Sequence, residues 1–439
     1  MRLARRWIIG STCLILVGLL HFVYWDLVEV FDIEQSESSA PIELLWWTRH
    51  MPWVYDELRR CGVFECRVTN KRKRLASARA VLFYGTFLET GDFPLPRSLQ
   101  HSWALLHEES PKNVAYAPFD DFLQHFNFTS TFSRYSDLPL TTQWLPSAHD
   151  LISMDYTMSF DFKSSNLNVA SPSVVFLNSD CDTMSGREHY MKELMRHINV
   201  DSFGSCLHNK DLPASLQKDY MDNLYSPKLL RFLSRYKFMI AIENAVCEDY
   251  ITEKFWRPLV VGVIPIYFGS PSIKDWQPQK KSAIFVKDFP NAAALGRYLM
   301  DLSENKTEYD SFRGHKLNGS HPIQNEKLLH NLITYPYHMG VPTPEGSLIQ
   351  VFECAVCKYA TYRGPIRRAN ARHYNCPLVP IYAPLESKKE PNSLAHWRSA
   401  MKVGQCQARI LKTFFSSNKP YSEAEFAAEL NPRIAEDRC

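Results

Sequence analysis

The chain has 439 residues, 45% of them apolar and 22% charged, which leaves room for two or three units with full cores and excludes a disordered tail or a small disulfide knot. Lys and Arg number 50 against 47 Asp and Glu, and a formal charge of +3 lacks the one-sign excess that gripping a nucleic acid requires. Glycine is scarce (16) while Trp (10), Tyr (21) and Phe (26) are plentiful, which excludes collagen-like and propeller repeats and favours aromatic-rich cores and clefts.

In chain order, the first element is the apolar run Trp7–Trp25, broken only by Ser11, Thr12 and His21 and long enough to cross a hydrocarbon core of ~30 Å as a helix. Arg2, Arg5 and Arg6 precede it, and Asp26, Glu29, Asp32, Glu34 and Glu37 follow, so the positive-inside rule places the N-terminus in the cytosol and the body in a lumen. A cleaved signal peptide is the competing reading. The run is too long for its apolar region, however, and the nearest small-residue site, Ser38–Ser39–Ala40, is followed by Pro41. The expectation is a type II protein of the Golgi or endoplasmic reticulum. Apart from Cys13 in the run, ten cysteines remain, an even number that can pair fully in an oxidising compartment. Cys354 and Cys357 have metal-ligand spacing without a second close pair, and are read as a local or tail-stapling disulfide. Sequons at Asn127, Asn305 and Asn318 are expected to be exposed glycan acceptors.

Irregular apolar runs at Ile42–Trp47, Val81–Phe83 and Trp103–Leu106, separated by proline-rich connections, indicate a first α/β unit. From Pro172 the pattern becomes regular. Strands are predicted at Ser173–Leu177, Val200–Phe203, Phe238–Ile242, Val263–Tyr267 and Ala283–Val286, and helices at Gly186–His197, Pro227–Arg235, Asp249–Val261 and Asn291–Leu302. Such alternation gives a parallel sheet covered on both faces, and two such units place a ligand at the carboxyl ends of their strands. From about Gly346 few long periodic runs are evident, and a disulfide-tied extension is expected. The resulting organisation is a cytosolic tail (1–6), a membrane anchor (7–25), a stem (26–40), an acceptor-side α/β domain (41–171), a donor-binding Rossmann-like domain (172–345) and a C-terminal extension (346–439).

The stretch richest in chemistry runs from Lys237 to Ser270. A buried strand ends at Glu243 and Asn244, and Asp249 is placed to cap a helix on which Tyr250, Glu253 and Lys254 share one face near the positive end. That cluster suits a nucleotide diphosphate and a sugar diol. Neither G-x-G-x-x-G nor G-x-x-x-x-G-K-S/T is present, so a dinucleotide or triphosphate cradle is disfavoured. On spacing alone, Glu253 and Lys254 also fit an ordinary solvated pair, and Arg187 a surface arginine.

The stretch Ile242–Glu243–Asn244–Ala245, with Asp249–Tyr250–Ile251–Thr252–Glu253–Lys254 and then Gly262–Val263–Ile264–Pro265, resembles the donor-binding signature of the α-1,3-fucosyltransferases, glycosyltransferase family 10. His107–Glu108–Glu109–Ser110–Pro111 resembles the family's E-S-P segment, Phe132–Ser133–Arg134–Tyr135–Ser136–Asp137 its Y-R-x-x-S-D segment, and Ser179–Asp180–Cys181 with Arg187 its S-N-C and downstream arginine. The resemblance spans about Pro41 to Tyr309 and is strongest to the branch containing fucosyltransferases ten and eleven. Asp180 replaces the usual Asn and Ile242 the usual aromatic, departures that touch acceptor identity more than donor use.

The resemblance implies a GT-B-type α/β architecture, two Rossmann-like domains facing a cleft, that uses GDP-β-L-fucose with inversion. It implies Glu109 as general base, Arg187 and Lys254 on the pyrophosphate, and Glu243, Asn244, Tyr250 and Glu253 at the donor. No metal or other cofactor is implied. The acceptor is expected to be GlcNAc of a glycoprotein glycan, or else Ser or Thr of a folded protein module. Two rival readings are a metal-dependent glycosyltransferase using Asp180–Cys181–Asp182 as D-x-D, and a non-catalytic lumenal lectin.

Overall fold

The computed structural model describes residues 40–49, 56–165, 173–217, 224–336, 346–362, 367–386 and 390–439. The expected membrane run Trp7–Trp25 lies outside them, and among the described residues no helix is long and apolar enough to cross a membrane.

The first sheet has six strands: β1 (Ile42–Trp46), β2 (Asp56–Cys61), β3 (Phe64–Thr69), β4 (Ala78–Tyr84), β5 (Ser102–His107) and β6 (Phe128–Thr131), in the order β2-β3-β1-β4-β5-β6. The pairs β1/β4, β4/β5 and β5/β6 are parallel, whereas β2 and β3 form an antiparallel hairpin at one edge. Sequence patterning missed that hairpin because its strand Asp-Glu-Leu-Arg-Arg-Cys is mostly charged.

The second sheet, β7 (Val174–Leu177), β8 (Val200–Phe203), β9 (Phe238–Ile242), β10 (Ile264–Phe268) and β11 (Ile284–Phe285), is parallel with the order β11-β10-β9-β7-β8. Its strands lack polar alternation because both faces are covered. Val174 and Phe176 of β7 join Phe238, Ile240 and Ile242 of β9 in one buried cluster; Val175 and Leu177 join Met239 and Ala241 in another. The flanking helices are α1 (Arg187–Leu194), α2 (Pro227–Leu233), α3 (Glu253–Val260) and α4 (Ala292–Glu304). The strand order reverses between β7 and β9, and in open α/β sheets the crevice at such a switch point, outside the carboxyl ends, is where ligands bind.

The C-terminal residues fold into α5 (Leu348–Tyr362), α6 (Asn392–Ser417) and α7 (Glu423–Ala435), so the expected scarcity of long periodic runs is overturned by the 26 residues of α6. These helices pack on the first sheet: Met401, Ile410, Leu411 and Phe415 of α6 share a buried cluster with Phe83, Trp103 and Phe122. Glu353 of α5, wholly buried, accepts from Trp46 Nε1 (2.9 Å) and Arg59 Nε (2.9 Å).

Cys354 and Cys357 are not paired with each other. One turn apart on the same face of α5, they bridge to Cys61 and Cys66 of the β2–β3 hairpin, while Cys181–Cys206, Cys247–Cys376 and Cys406–Cys439 complete the pairing. The sequon at Asn127 is likewise corrected. Asn127 Oδ1 accepts from Trp103 N (2.9 Å) and from Arg97, Nδ2 donates to Arg367 O (3.0 Å), and Thr129 is wholly buried in β6. Asn305 and Asn318 are exposed; Asn305 caps a helix through Oδ1, which leaves Nδ2 available.

Non-reducing peptide mapping is expected to recover Cys61 joined to Cys354 and Cys66 joined to Cys357. A peptide closed by Cys354 and Cys357 would contradict this arrangement.

Candidate active site

Strand β5 delivers Glu108 and Glu109 just beyond its carboxyl end, and β9 delivers Glu243 and Asn244 beyond its own. Between β9 and α3 runs a loop, 243–252, that is fastened at five points. Glu243, wholly buried, accepts from Thr252 N (2.8 Å) and Thr252 Oγ1 (2.7 Å), closing the loop on itself. Cys247 is bridged to Cys376, and Glu248 N donates to Asn375 O (3.0 Å). Tyr250, 2% exposed, donates its hydroxyl proton to Glu109 Oε2 (3.1 Å) and packs edge-on against Phe132. Asp249, wholly buried, receives Arg134: Nη2 donates to Oδ1 (2.6 Å) and Nε to Oδ2 (2.9 Å). The Asp249 carboxylate also accepts from Ser272 (2.6 Å) and Trp276 Nε1 (2.9 Å), and Arg134 extends to Asp275 (2.7 Å).

Two expectations change accordingly. Asp249, with φ of +63°, is not the helix cap. Thr252 is, its side chain accepting from Lys254 N, and α3 therefore begins at Glu253. Glu243 does not face a ligand either: both its oxygens are engaged by Thr252, with Lys254 Nζ 3.7 Å away, so it shapes the loop from beneath. Burial pushes Glu243 up to about 7, opposed by the Lys254 charge.

The other residues named from the sequence gather around the same loop. Lys254 Nζ lies 3.0 Å from Glu253 and 3.1 Å from Thr252 Oγ1 at the start of α3. Burial would raise Glu253, but Lys254 and Arg257 outweigh it and hold the carboxyl down at about 2. Arg187, 2% exposed at the start of α1, donates to Ile242 O (3.3 Å) and Asp180 O (3.0 Å), which sets it at the β7/β9 switch point. Arg187 Nε, Asn244 Oδ1 and Arg257 Nε are buried without a hydrogen-bond partner, so this end of the sheet carries spare donors and an acceptor. Burial raises Glu109 above the ordinary carboxyl value, and the nearby Lys254 charge and the Tyr250 hydrogen bond oppose the shift. Neighbouring Glu108 is taken by the Tyr84 hydroxyl and pushed up to about 7 by burial.

Several supporting residues escaped the sequence reading. Tyr374, from the C-terminal extension, donates to Glu109 O, stacks on His107 (5.4 Å) and packs against Phe132. His107 in turn fits only because residue 85 is glycine, where a Cβ would fall 2.2 Å from the imidazole. Arg134 lies within a recognised motif, so a signal existed; Tyr374 and Cys376 had none, since their partners are hundreds of residues away or nearly so. In the D-x-D triplet, Asp180 pairs with Lys112 (2.6 Å) and Asp182 accepts from Trp397 Nε1 (2.7 Å), so the two carboxylates serve different neighbours.

Two family models match: residues 39–143 fit "Fucosyltransferase, N-terminal" and residues 169–330 fit "Glycosyltransferase family 10 (fucosyltransferase) C-term". Drosophila melanogaster "Alpha-(1,3)-fucosyltransferase B" is 58% identical, the alignment covering 100% of this chain and 99% of the relative. The chain belongs to glycosyltransferase family 10. It is a fucosyltransferase, and its relatives include the "GDP-fucose protein O-fucosyltransferase 3" of Homo sapiens, 39% identical over 89% of this chain and 82% of that protein, and of Xenopus laevis, 38% identical over 90% and 85%.

Removing Arg134 from this fucosyltransferase leaves a buried carboxylate unpaired. Arg134→Ala is expected to cost about 3–5 kcal/mol, measured as a lower denaturation midpoint. Burial pushes Asp249 up, but the Arg134 and Ser272 hydrogen bonds outweigh it and hold the group below its ordinary 3.8. A depressed carboxyl stabilises the fold above its unfolded value and loses that contribution as pH falls through the folded one. Without Arg134 burial is left to raise Asp249, so the gap between parent and variant should narrow as pH falls, from the point where the variant's carboxyl takes up its proton down to the parent's depressed value. A variant as stable as the parent at neutral pH would contradict the assignment.

Proposed function

We propose that this fucosyltransferase takes L-fucose from GDP-β-L-fucose and passes it, with inversion, to an acceptor hydroxyl in the secretory pathway, α-1,3 to GlcNAc of glycoprotein glycans. The supporting observation is the meeting of Glu109, from the end of β5, with Tyr250 and the Lys254 neighbourhood of the donor loop at one cleft. Two sheets that present their carboxyl ends in this way fit a GT-B-type arrangement, with the acceptor on the β5 side and the nucleotide at the β7/β9 switch point.

An inverting displacement needs a carboxylate to take the acceptor proton and cations where charge develops on the leaving diphosphate. Glu109, raised by burial toward the range in which a carboxylate accepts a proton readily, suits the first task. Arg187 and Lys254 suit the second, with Asn244 and Glu253 available to sugar hydroxyls. These two cations supply the countercharge that a divalent ion provides elsewhere, and transfer is proposed to proceed in EDTA.

A protein Ser or Thr hydroxyl is the second acceptor reading, favoured by the vertebrate relatives named as protein O-fucosyltransferases. A base at Glu109 serves either hydroxyl. Incubation with GDP-fucose and EDTA, offering a GlcNAc-terminated glycopeptide beside folded disulfide-bonded modules, tests both readings. Fucose on the glycan is the expected outcome, fucose on Ser or Thr assigns the second reading, and transfer only after Mn²⁺ is added contradicts the cation assignment.

The body is proposed to be lumenal behind the Trp7–Trp25 anchor, supported by five disulfides and two exposed sequons. Glycans at Asn305 and Asn318 but not at Asn127 are expected by mass spectrometry; an unmodified chain would contradict this placement.

Glu109→Gln is expected to keep GDP affinity while cutting turnover by roughly 10²–10⁴. Lys254→Ala should weaken GDP itself, because a cation is lost from a partly dry diphosphate site. Calorimetric titration with GDP alongside single-turnover transfer separates these effects, and a Glu109→Gln enzyme with normal turnover would remove the base assignment.

A further inference from the structure

Away from the catalytic cleft, at the opposite end of β5, lies a groove of about 800 Å³ walled by Arg97, His101, Trp103, Tyr359, Arg368 and Lys412. Ser102, the first residue of β5, borders it, whereas Glu109 follows the last, which separates the two places by roughly 20 Å of strand. We propose that this groove binds an acidic saccharide chain.

The argument begins with charge. Among the described residues no carboxylate lines the groove, although Arg79, Arg97, Arg368 and Lys412 all do. Arg97 is spent on the neutral acceptors His101 O (3.1 Å), His125 O (2.6 Å) and Asn127 Oδ1, and sits over the Trp103 ring at 4.4 Å. Burial lowers it to about 10, and the Arg368 charge adds to the shift. Two guanidinium groups near enough to repel, with no acid between them, are at lower free energy when an anion joins them. Lys412 at the rim is held by Asp121 (2.7 Å), so Arg368, exposed on the extension, is the cation with most freedom to meet a ligand.

The second observation is unsatisfied polarity in the wall. Trp103, wholly buried, keeps Nε1 without a partner, and His101, 5% exposed, keeps a ring nitrogen unpartnered. Buried polar atoms are normally paired, and their presence beside a cavity of ligand size marks a built site. The saccharide assignment follows from the remaining lining: Tyr359 brings a half-buried aromatic ring and Gln124 an amide, a pairing suited to a sugar ring and its hydroxyls, with the cations left for sulfate or carboxylate. A chain held there while another part of the same molecule reaches the cleft would raise the local acceptor concentration.

The test is calorimetric titration of the full chain with a sulfated tetrasaccharide, a uronate tetrasaccharide, a neutral tetrasaccharide and a polyglutamate peptide. Binding of the sulfated or the uronate chain, whichever source supplies the anion, with no binding of the neutral one is expected. Arg368→Glu should weaken that binding at least tenfold while leaving GDP affinity and transfer to a small acceptor unchanged. The proposal is overturned if neither acidic saccharide binds, if the neutral one binds equally, if Arg368→Glu binds like the parent, or if polyglutamate binds as tightly as the acidic saccharides.

Discussion

The loop 243–252 holds its shape because the Arg134–Asp249 pair ties it to the segment that follows the first sheet. An isolated aspartate with no exposure would neutralise or expel itself. Here a bidentate guanidinium, a hydroxyl and an indole N–H use up the carboxylate's capacity, and that satisfaction permits Asp249 to take its left-handed backbone conformation. With the loop turned that way, Tyr250 reaches across to Glu109 and α3 starts at Glu253, which sets Lys254 at the positive end of a helix. One buried ion pair thus fixes how an acid from the first sheet meets a cation from the second.

The C-terminal extension enforces the same junction from behind. Tyr374 holds the Glu109 backbone, Cys376 holds Cys247, and Asn375 accepts from Glu248 N, so three consecutive residues touch both sides of the cleft. Farther along, α5 and α6 cover opposite faces of the first sheet, α5 packing on Trp46 and Phe128 and α6 on Phe83 and Trp103. The extension therefore belongs to the catalytic body.

Much of this was legible in the sequence wherever the physics is local. The uninterrupted apolar strands of the second sheet follow from burial on both faces, and Val200–Phe203 and Phe238–Ile242 were read to the residue. Glu243, Asn244, Tyr250, Glu253 and Lys254 were singled out because a strand end and a helix start lie close in sequence, whereas Glu109 and the role of Arg187 came from the family resemblance. Long-range pairings left no such trace. The spacing of Cys354 and Cys357 left a local and a tail-stapling disulfide open; the tail is stapled, but to a hairpin that its own charged strand concealed. Glu243 looked like a ligand because it ends a strand at the ligand edge, and only the packing of Thr252 against it shows a supporting role.

The central claim is that Glu109 acts as the base and is tuned by Tyr250. The pH dependence of kcat/KM for fucosyl transfer, compared between the parent and Tyr250→Phe, measures it directly. The Tyr250 hydrogen bond lowers Glu109, so its loss should raise the carboxyl further and move the acid limb of the profile to higher pH. An acid limb that stays where it was would contradict the account.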